Sequence, residues 1–185
     1  MKYSPTYFDD YYTGSYENTF QSGFPLERIL NKEWAAIYKN PPQRFADIGC
    51  GCGQTLLLAR ELLPNAEVIY GVECQDIPKK RVVSKDVVFG DFMDIYHQLP
   101  AVDLLYVACA MYVPWTQQIE FLTATAALAK KAIVFANLYI EDGRAIPNDI
   151  LRTTIYNSRV GFISAMRALG FSFRGNKSVE FFIPA

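Results

Sequence analysis

Two hydrophobic periods alternate along most of the chain. Short and nearly continuous apolar runs predict buried strands, and they are RFADIG, EVIYGVE, DVVFGD, AVDLLYVACA and AIVFAN. Between them, apolar residues recur at helical spacing in QTLLLARELLP and in TQQIEFLTATAALAKK, which predicts helices. Strands that alternate with helices predict an α/β fold with a doubly wound, mostly parallel sheet.

The two ends of the chain complete this pattern differently. Pro25 suits the first turn of a helix over PLERILNKEWAAIYKN, which we expect to stop at Asn40 before two prolines. Near the other end, a helix that begins about Ser158 precedes FSFRG and SVEFFIPA, which predict an antiparallel hairpin and bring the sheet to seven strands. Residues 1–24 are rich in Tyr, Phe, Asp and Gly without either period. We interpret them as an aromatic arm or lid before a single domain at 25–185.

Composition narrows the class of protein. Of the 185 residues, 51% are hydrophobic and 20% are charged, and the formal net charge is −1, as in ordinary soluble domains. The densest basic run, KKR at 79–81, is typical of a solvated loop, so strong nucleic-acid binding is not expected. No apolar run would span a bilayer and the first residues do not resemble a signal peptide, which predicts a cytoplasmic protein without a membrane partner.

The stretch RFADIGCGCGQT, residues 44–55, carries the strongest chemical signal. Gly49, Gly51 and Gly53 lie between a predicted strand and a predicted helix, where the backbone turns sharply and a ligand can approach it closely. A phosphate-binding loop would need lysine and then Ser or Thr after the last glycine, and a dinucleotide fingerprint would need a glycine three places after the second one. Glutamine stands at that place. Asp47 would also repel a pyrophosphate, whereas it suits a ligand with positive charge.

The segment DIGCGCG resembles the first motif of the Rossmann-like (class I) methyltransferases, which use S-adenosylmethionine. This cofactor carries a sulfonium and an ammonium group, the positive charges that would suit Asp47. The resemblance extends from about Arg44 to the end of the chain and says almost nothing about the acceptor. It implies that the cofactor is bound by the first strand end and by the loop, at Asp47, Gly49, Cys50, Gly51 and Gly53.

The next two strand ends agree with this resemblance. Glu73 ends the second predicted strand, where an acid can accept hydrogen bonds from both ribose hydroxyls. Cys74 or Gln75 would line the pocket beside it. Asp91 ends the third strand, and the resemblance implies that it receives the adenine amino group while Phe92 packs on the ring. Asp91 also suits the N-cap of a short helix, and both roles can be filled at once.

The fourth predicted strand runs into VDLLYVACAMYVPW, which is similar to the fourth motif of the family. The resemblance places Ala108 and Cys109 beside the reactive methyl group. Methyl transfer mainly requires alignment of the acceptor and exclusion of water, so the lack of an obvious general base does not argue against activity. Tyr112 is the remaining catalytic candidate, with an aromatic wall as its other interpretation, and His97, the sole histidine, is interpreted as structural.

Four cysteines, Cys50, Cys52, Cys74 and Cys109, follow or end three strands at one predicted sheet edge. Thiolates gathered there could hold zinc, but Cys-x-Cys is not the usual paired spacing. We therefore expect free thiols and no metal site.

The sequence predicts S-adenosylmethionine-dependent methyl transfer to an unidentified acceptor, with a small molecule as the first choice. Two alternatives of other classes stay open: a cofactor-binding pseudoenzyme or subunit of an assembly, and a protein or RNA methyltransferase. The apolar end of the fourth strand keeps the pseudoenzyme open, whereas the near-neutral charge argues against an RNA substrate.

Overall fold

A seven-stranded sheet with strand order 3-2-1-4-5-7-6 organises the protein. The computed structural model describes residues 25–74, 82–107, 110, 113, 115–136, 159–174 and 180–185, so the arm expected at 1–24 lies outside the described residues. In chain order the strands are β1 (Arg44–Ile48), β2 (Val68–Glu73), β3 (Val87–Phe89), β4 (Val102–Val107), β5 (Ala129–Phe135), β6 (Phe171–Phe173) and β7 (Glu180–Pro184). Strands β1 to β5 are parallel, and β7 is antiparallel to both β5 and β6. The predicted mostly parallel sheet with a C-terminal hairpin is confirmed.

Helices cover both faces of this sheet. In chain order they are α1 (Pro25–Arg28), continued by a π-helical turn (Ile29–Trp34), then α2 (Gln54–Leu62), α3 (Phe92–Ile95), α4 (Gln118–Leu128) and α5 (Arg159–Ala168). Apolar residues of α1 and α2 form a core with one face of the strands, and those of α3, α4 and α5 form a second core with the other face. No helix within the described part of the chain is both long and apolar enough to cross a membrane.

The central strands are apolar along their length because both of their faces are covered. On β1, Phe45 packs toward α2 while Ala46 and Ile48 pack toward the opposite helices. All six residues of β4 are buried, as expected for an inner parallel strand. Because the carboxyl ends of parallel strands lie at one edge of a sheet, the segments that follow β1, β2 and β3 meet there.

Two predicted helix ends are wrong. The helix expected over TQQIEFLTATAALAKK ends at Leu128, and β5 already begins at Ala129. The sequence carries no Gly or Pro at this boundary, so pairing with β4 decides it, and Lys131 forms an ion pair with Asp103 of β4 at 3.1 Å. The first helix was expected to reach Asn40 but its helical residues end at Trp34.

Candidate functional site

The turn between β1 and α2 has a backbone conformation that favours glycine. The φ angles of Gly49, Gly51 and Gly53 are 81°, 55° and 91°, all in the left-handed region that other residues adopt at a cost. The turn is tied to the neighbouring strand, because the N–H groups of Gly49 and Cys50 donate to the carbonyl of Val72 at 2.8 and 3.2 Å. The alternating glycines therefore shape a fixed loop of bare main chain above the end of β1.

Close packing holds this glycine turn against the sheet. A Cβ atom at Gly71 of β2 would lie 2.5 Å from Sγ of Cys50 and 2.9 Å from Leu56. A Cβ atom at Gly53 would lie 2.9 Å from the side chain of Val87. The side chain of Cys50 is thus a buried core residue, and the contact of Cys50 with the cofactor stays a prediction.

Two carboxyl groups lie at neighbouring strand ends beside the glycine turn. Glu73, the last residue of β2, accepts a hydrogen bond from the N–H of Gly51 at 2.9 Å. Asp47 of β1 is 1% exposed, and its Oδ1 atom has no hydrogen-bond partner among the described residues. The hydroxyl of Thr55 in the first turn of α2 hydrogen bonds to the carboxyl group of Asp47. The floor of the turn is therefore acidic, and one carboxyl oxygen of Asp47 has no hydrogen-bond partner among the described residues.

This arrangement favours the neutral form of Asp47. Burial raises the pKa of Asp47 to about 7, the hydrogen bond from Thr55 lowers it, and the negative charge of Glu73 raises it. Tyr106 of β4 pairs with Asp47 in register, and burial, together with the nearby Asp47, raises the pKa of the Tyr106 phenol well above 10. Among the described residues, no lysine or arginine contributes to the shift at Asp47. A bound cation would be the missing counter-charge.

An exposed acid and a buried ring follow β3, which ends at Phe89, two residues before the predicted end at Asp91. Oδ1 of Asp91 accepts a hydrogen bond from the N–H of Met93 at 2.9 Å, which confirms the interpretation of Asp91 as a helix N-cap. Phe92 is 6% exposed and packs edge-on against Phe121 of α4, with 5.5 Å between ring centroids. The structure thus gives Phe92 a place in the core, and the contacts of both residues with an adenine ring stay predictions.

The chain is similar to known proteins in fold and not in sequence. No family model and no curated protein matches this sequence. Among solved structures, the sugar N-methyltransferase KedS8 from Streptoalloteichus sp ATCC 53650 superposes with a TM-score of 0.66 at 13% identity, over 96% of this chain and 92% of that one. Magnesium protoporphyrin IX methyltransferase (ChlM) from Synechocystis PCC 6803 with bound SAH gives 0.58 at 13% identity, over 98% and 100%. The chain has the fold of the class I S-adenosylmethionine-dependent methyltransferases.

The class I methyltransferase fold establishes architecture, and the roles of individual residues rest on the geometry of the site. A further match, LaPhzM, has a TM-score of 0.55 at 16% identity, and this chain spans 61% of its length. The match therefore spans nearly all of ChlM and KedS8 but less than two thirds of LaPhzM.

The other predicted site residues differ in exposure and in whether the structure describes them. Cys74, directly after β2, is exposed, whereas Cys52 in the glycine turn is buried. Within the described ranges, no group of His, Cys, Asp and Glu side chains is arranged to hold a metal. His97 lies exposed in a 3-10 turn after α3, where its ring contacts the side chain of Gln98 at 3.2 Å. Three predicted residues lie outside the described part of the chain: Ala108, Cys109 and Tyr112.

Three residues of the site were not predicted from the sequence. Thr55 is a polar residue on the buried side of α2, next to Leu56, and that break in an apolar face was its signal. Gly71 interrupts a strand otherwise rich in large residues, a pattern that indicates close approach of another segment. Tyr106 lies inside an apolar strand, and nothing in the one-dimensional pattern distinguishes it from a core aromatic residue.

Proposed function

We propose that the protein is an S-adenosylmethionine-dependent methyltransferase that acts on a small-molecule acceptor. The observation that carries the proposal is the pairing of the glycine turn with two buried acids, Asp47 and Glu73, at adjoining strand ends. A fold alone does not specify a ligand. The bare turn and the two acids together favour a ligand with positive charge and hydroxyl groups, and they disfavour one with a pyrophosphate.

The residues present fit this cofactor. Oδ1 of Asp47 is a buried acceptor without a donor in the described structure. An ammonium or sulfonium group would place beside it the positive charge that stabilises a buried carboxylate. Glu73 is oriented by the N–H of Gly51, and a carboxylate held in this way can also accept hydrogen bonds from ribose hydroxyls. The left-handed backbone at Gly49, Gly51 and Gly53 lets the cofactor lie against the main chain.

The remaining assignments follow from the same placement of the cofactor. We assign its binding to the turn and to three strand ends, at Asp47, Gly49, Cys50, Gly51, Gly53, Glu73, Cys74, Asp91, Phe92, Ala108 and Cys109. The bound cofactor supplies an electrophilic methyl group on a good leaving group. The protein then has to align the acceptor with that methyl group and exclude water. We propose that Tyr112 orients the acceptor and that residues 1–24 cover the site as an arm of the single domain at 25–185.

A small molecule is favoured as the acceptor by two observations. The formal net charge of −1 disfavours strong binding to a nucleic acid. The chain also spans 92% of KedS8 and 100% of ChlM, and the names of those proteins give a sugar nitrogen and magnesium protoporphyrin IX as acceptors. We propose a cytoplasmic location on the same sequence grounds as before.

The proposed activity can be tested without knowing the acceptor. The protein is incubated with S-adenosylmethionine labelled in its methyl group, together with a small-molecule extract, a protein extract or total RNA, and transfer of the label is measured. We expect label in the small-molecule fraction, and no label in any fraction with Gly51→Val. Label only in protein or RNA would support the macromolecular alternative. Cofactor binding without transfer to any of the three would support the pseudoenzyme.

A further inference from the structure

We infer that Asp47 gives up a proton when the cofactor binds, so that affinity for S-adenosylmethionine rises with pH across the neutral range. The inference rests on the proposed function and describes how the same site is regulated. The proton passes from the Asp47 carboxyl group to the buffer, and the resulting carboxylate becomes the counter-charge of the cofactor's positive groups.

The geometry around Asp47 disfavours a negative charge in the absence of a ligand. The side chain is buried between β2, β4 and α2, and one of its oxygens has no hydrogen-bond partner in the described structure. The titratable groups beside it are the carboxyl group of Glu73 on β2 and the phenol of Tyr106 on β4, and neither can offer positive charge. Helix α2 contributes only the hydroxyl of Thr55.

Two basic side chains of the described structure pair with other carboxyl groups, and no described basic residue is among the causes that shift the pKa of Asp47. Arg60 of α2 pairs with Asp86 at 3.1 Å, and Lys131 pairs with Asp103 at 3.1 Å. A buried carboxyl group without a cation holds its proton, because desolvation penalises the charged form. The pKa of Asp47 is accordingly raised to about 7 by burial, and the ligand-free protein carries a mixture of both forms near neutral pH.

A cation bound at the glycine turn would reverse this preference. An opposite charge within about 4 to 6 Å lowers the pKa of an acid by about 1 to 3. If the bound cation lowers the pKa by about 2, cofactor binding releases about 0.8 protons at pH 6 and about 0.5 protons at pH 7. By the same linkage, affinity is about fivefold higher at pH 7 than at pH 6.

Calorimetric titration in buffers of different ionisation enthalpy measures this release directly. The binding enthalpy of S-adenosylmethionine is plotted against the ionisation enthalpy of the buffer, and the slope gives the number of protons released. The pH is kept at or below 7 because an α-amino group such as the cofactor's titrates near 7.7 to 8.0. We expect slopes near the values above for the wild-type chain, and a slope close to zero for Asp47→Asn.

Two further variants keep the test decisive if Asp47→Asn does not fold. Thr55→Val keeps Asp47 but removes the hydroxyl whose hydrogen bond lowers its pKa, so the release at pH 7 should rise from about one half toward one. Glu61→Gln removes an exposed acid of α2, and its slope should match that of the wild type.

The possible failures are distinguishable. No binding of S-adenosylmethionine by the folded wild-type chain at either pH would overturn the proposed function. Binding with a zero slope in the wild type would overturn the proton-linked inference alone. A slope that survives in Asp47→Asn would assign the proton to another group and would also overturn it.

Discussion

Replacement of Asp47 by asparagine should change how the stability of the ligand-free protein depends on pH. The ordinary pKa of the residue is 3.8, and burial raises the folded-state pKa to about 7. The folded state therefore binds a proton more tightly than the unfolded state. This stabilisation is complete below the unfolded pKa, and it is lost as pH rises through the folded pKa of about 7.

The magnitude follows from these two values. Integrated between pH 5 and pH 8, the proton on Asp47 stabilises the wild-type fold by about 2 to 3 kcal/mol more at the lower pH. The asparagine side chain cannot titrate, so the variant loses this dependence while it keeps an oxygen for the hydrogen bond from Thr55. The free energy of unfolding of Asp47→Asn minus that of the wild type should therefore be about 2 to 3 kcal/mol more positive at pH 8 than at pH 5.

Urea denaturation at both pH values, without cofactor, measures this double difference. Other titrating groups occur in both proteins and largely cancel, and Glu61→Gln serves as the control for loss of an exposed acid on α2. A difference between Asp47→Asn and wild type that is the same at pH 5 and pH 8 would refute the reasoning. It would mean that Asp47 is ionised in the folded protein at both pH values and that a positive charge lies beside it.

Three other substitutions test the glycine turn and its acids. Gly51→Val should abolish binding of S-adenosylmethionine but preserve the circular dichroism spectrum, because a side chain would enter the ligand's space; retained affinity would show that the cofactor does not lie there. Glu73→Ala should weaken binding by about 1 to 3 kcal/mol through loss of a charged acceptor, whereas the exposed Glu67→Ala should have no effect in the same titration. Gly71→Ala should lower the free energy of unfolding by roughly 1 to 3 kcal/mol, because its Cβ would lie 2.5 Å from Sγ of Cys50; an unchanged urea midpoint would mean that the turn moves aside freely.

The sheet could be predicted because its strands are covered on both faces. Nearly continuous apolar runs such as VDLLYV on β4 are typical of strands buried on both faces. The boundary between α4 and β5 could not be predicted, because AALAKKAIVF contains no residue that stops a helix. There the pairing of β5 with β4 and the ion pair between Lys131 and Asp103 determine where the strand begins.

The candidate site was predictable where it depends on backbone conformation and on which residues stand at the strand ends. The alternating glycines signal positive φ angles, which Gly49, Gly51 and Gly53 adopt. The raised pKa of Asp47 was not predictable, because it depends first on burial in the folded structure and then on the charge of Glu73 from a neighbouring strand, while Thr55 from a helix lowers it. The chain also gives Cys50 no mark to show that its side chain packs inward against Gly71.

The central claim is that the glycine turn and its acids bind a cationic sulfur nucleoside. Calorimetric titration of the 185-residue chain with S-adenosylmethionine, run beside an identical titration with NAD⁺, tests it most directly. We expect one S-adenosylmethionine bound per chain and no heat of binding with NAD⁺. A folded chain that does not bind S-adenosylmethionine, or that binds NAD⁺ equally well, would contradict this claim.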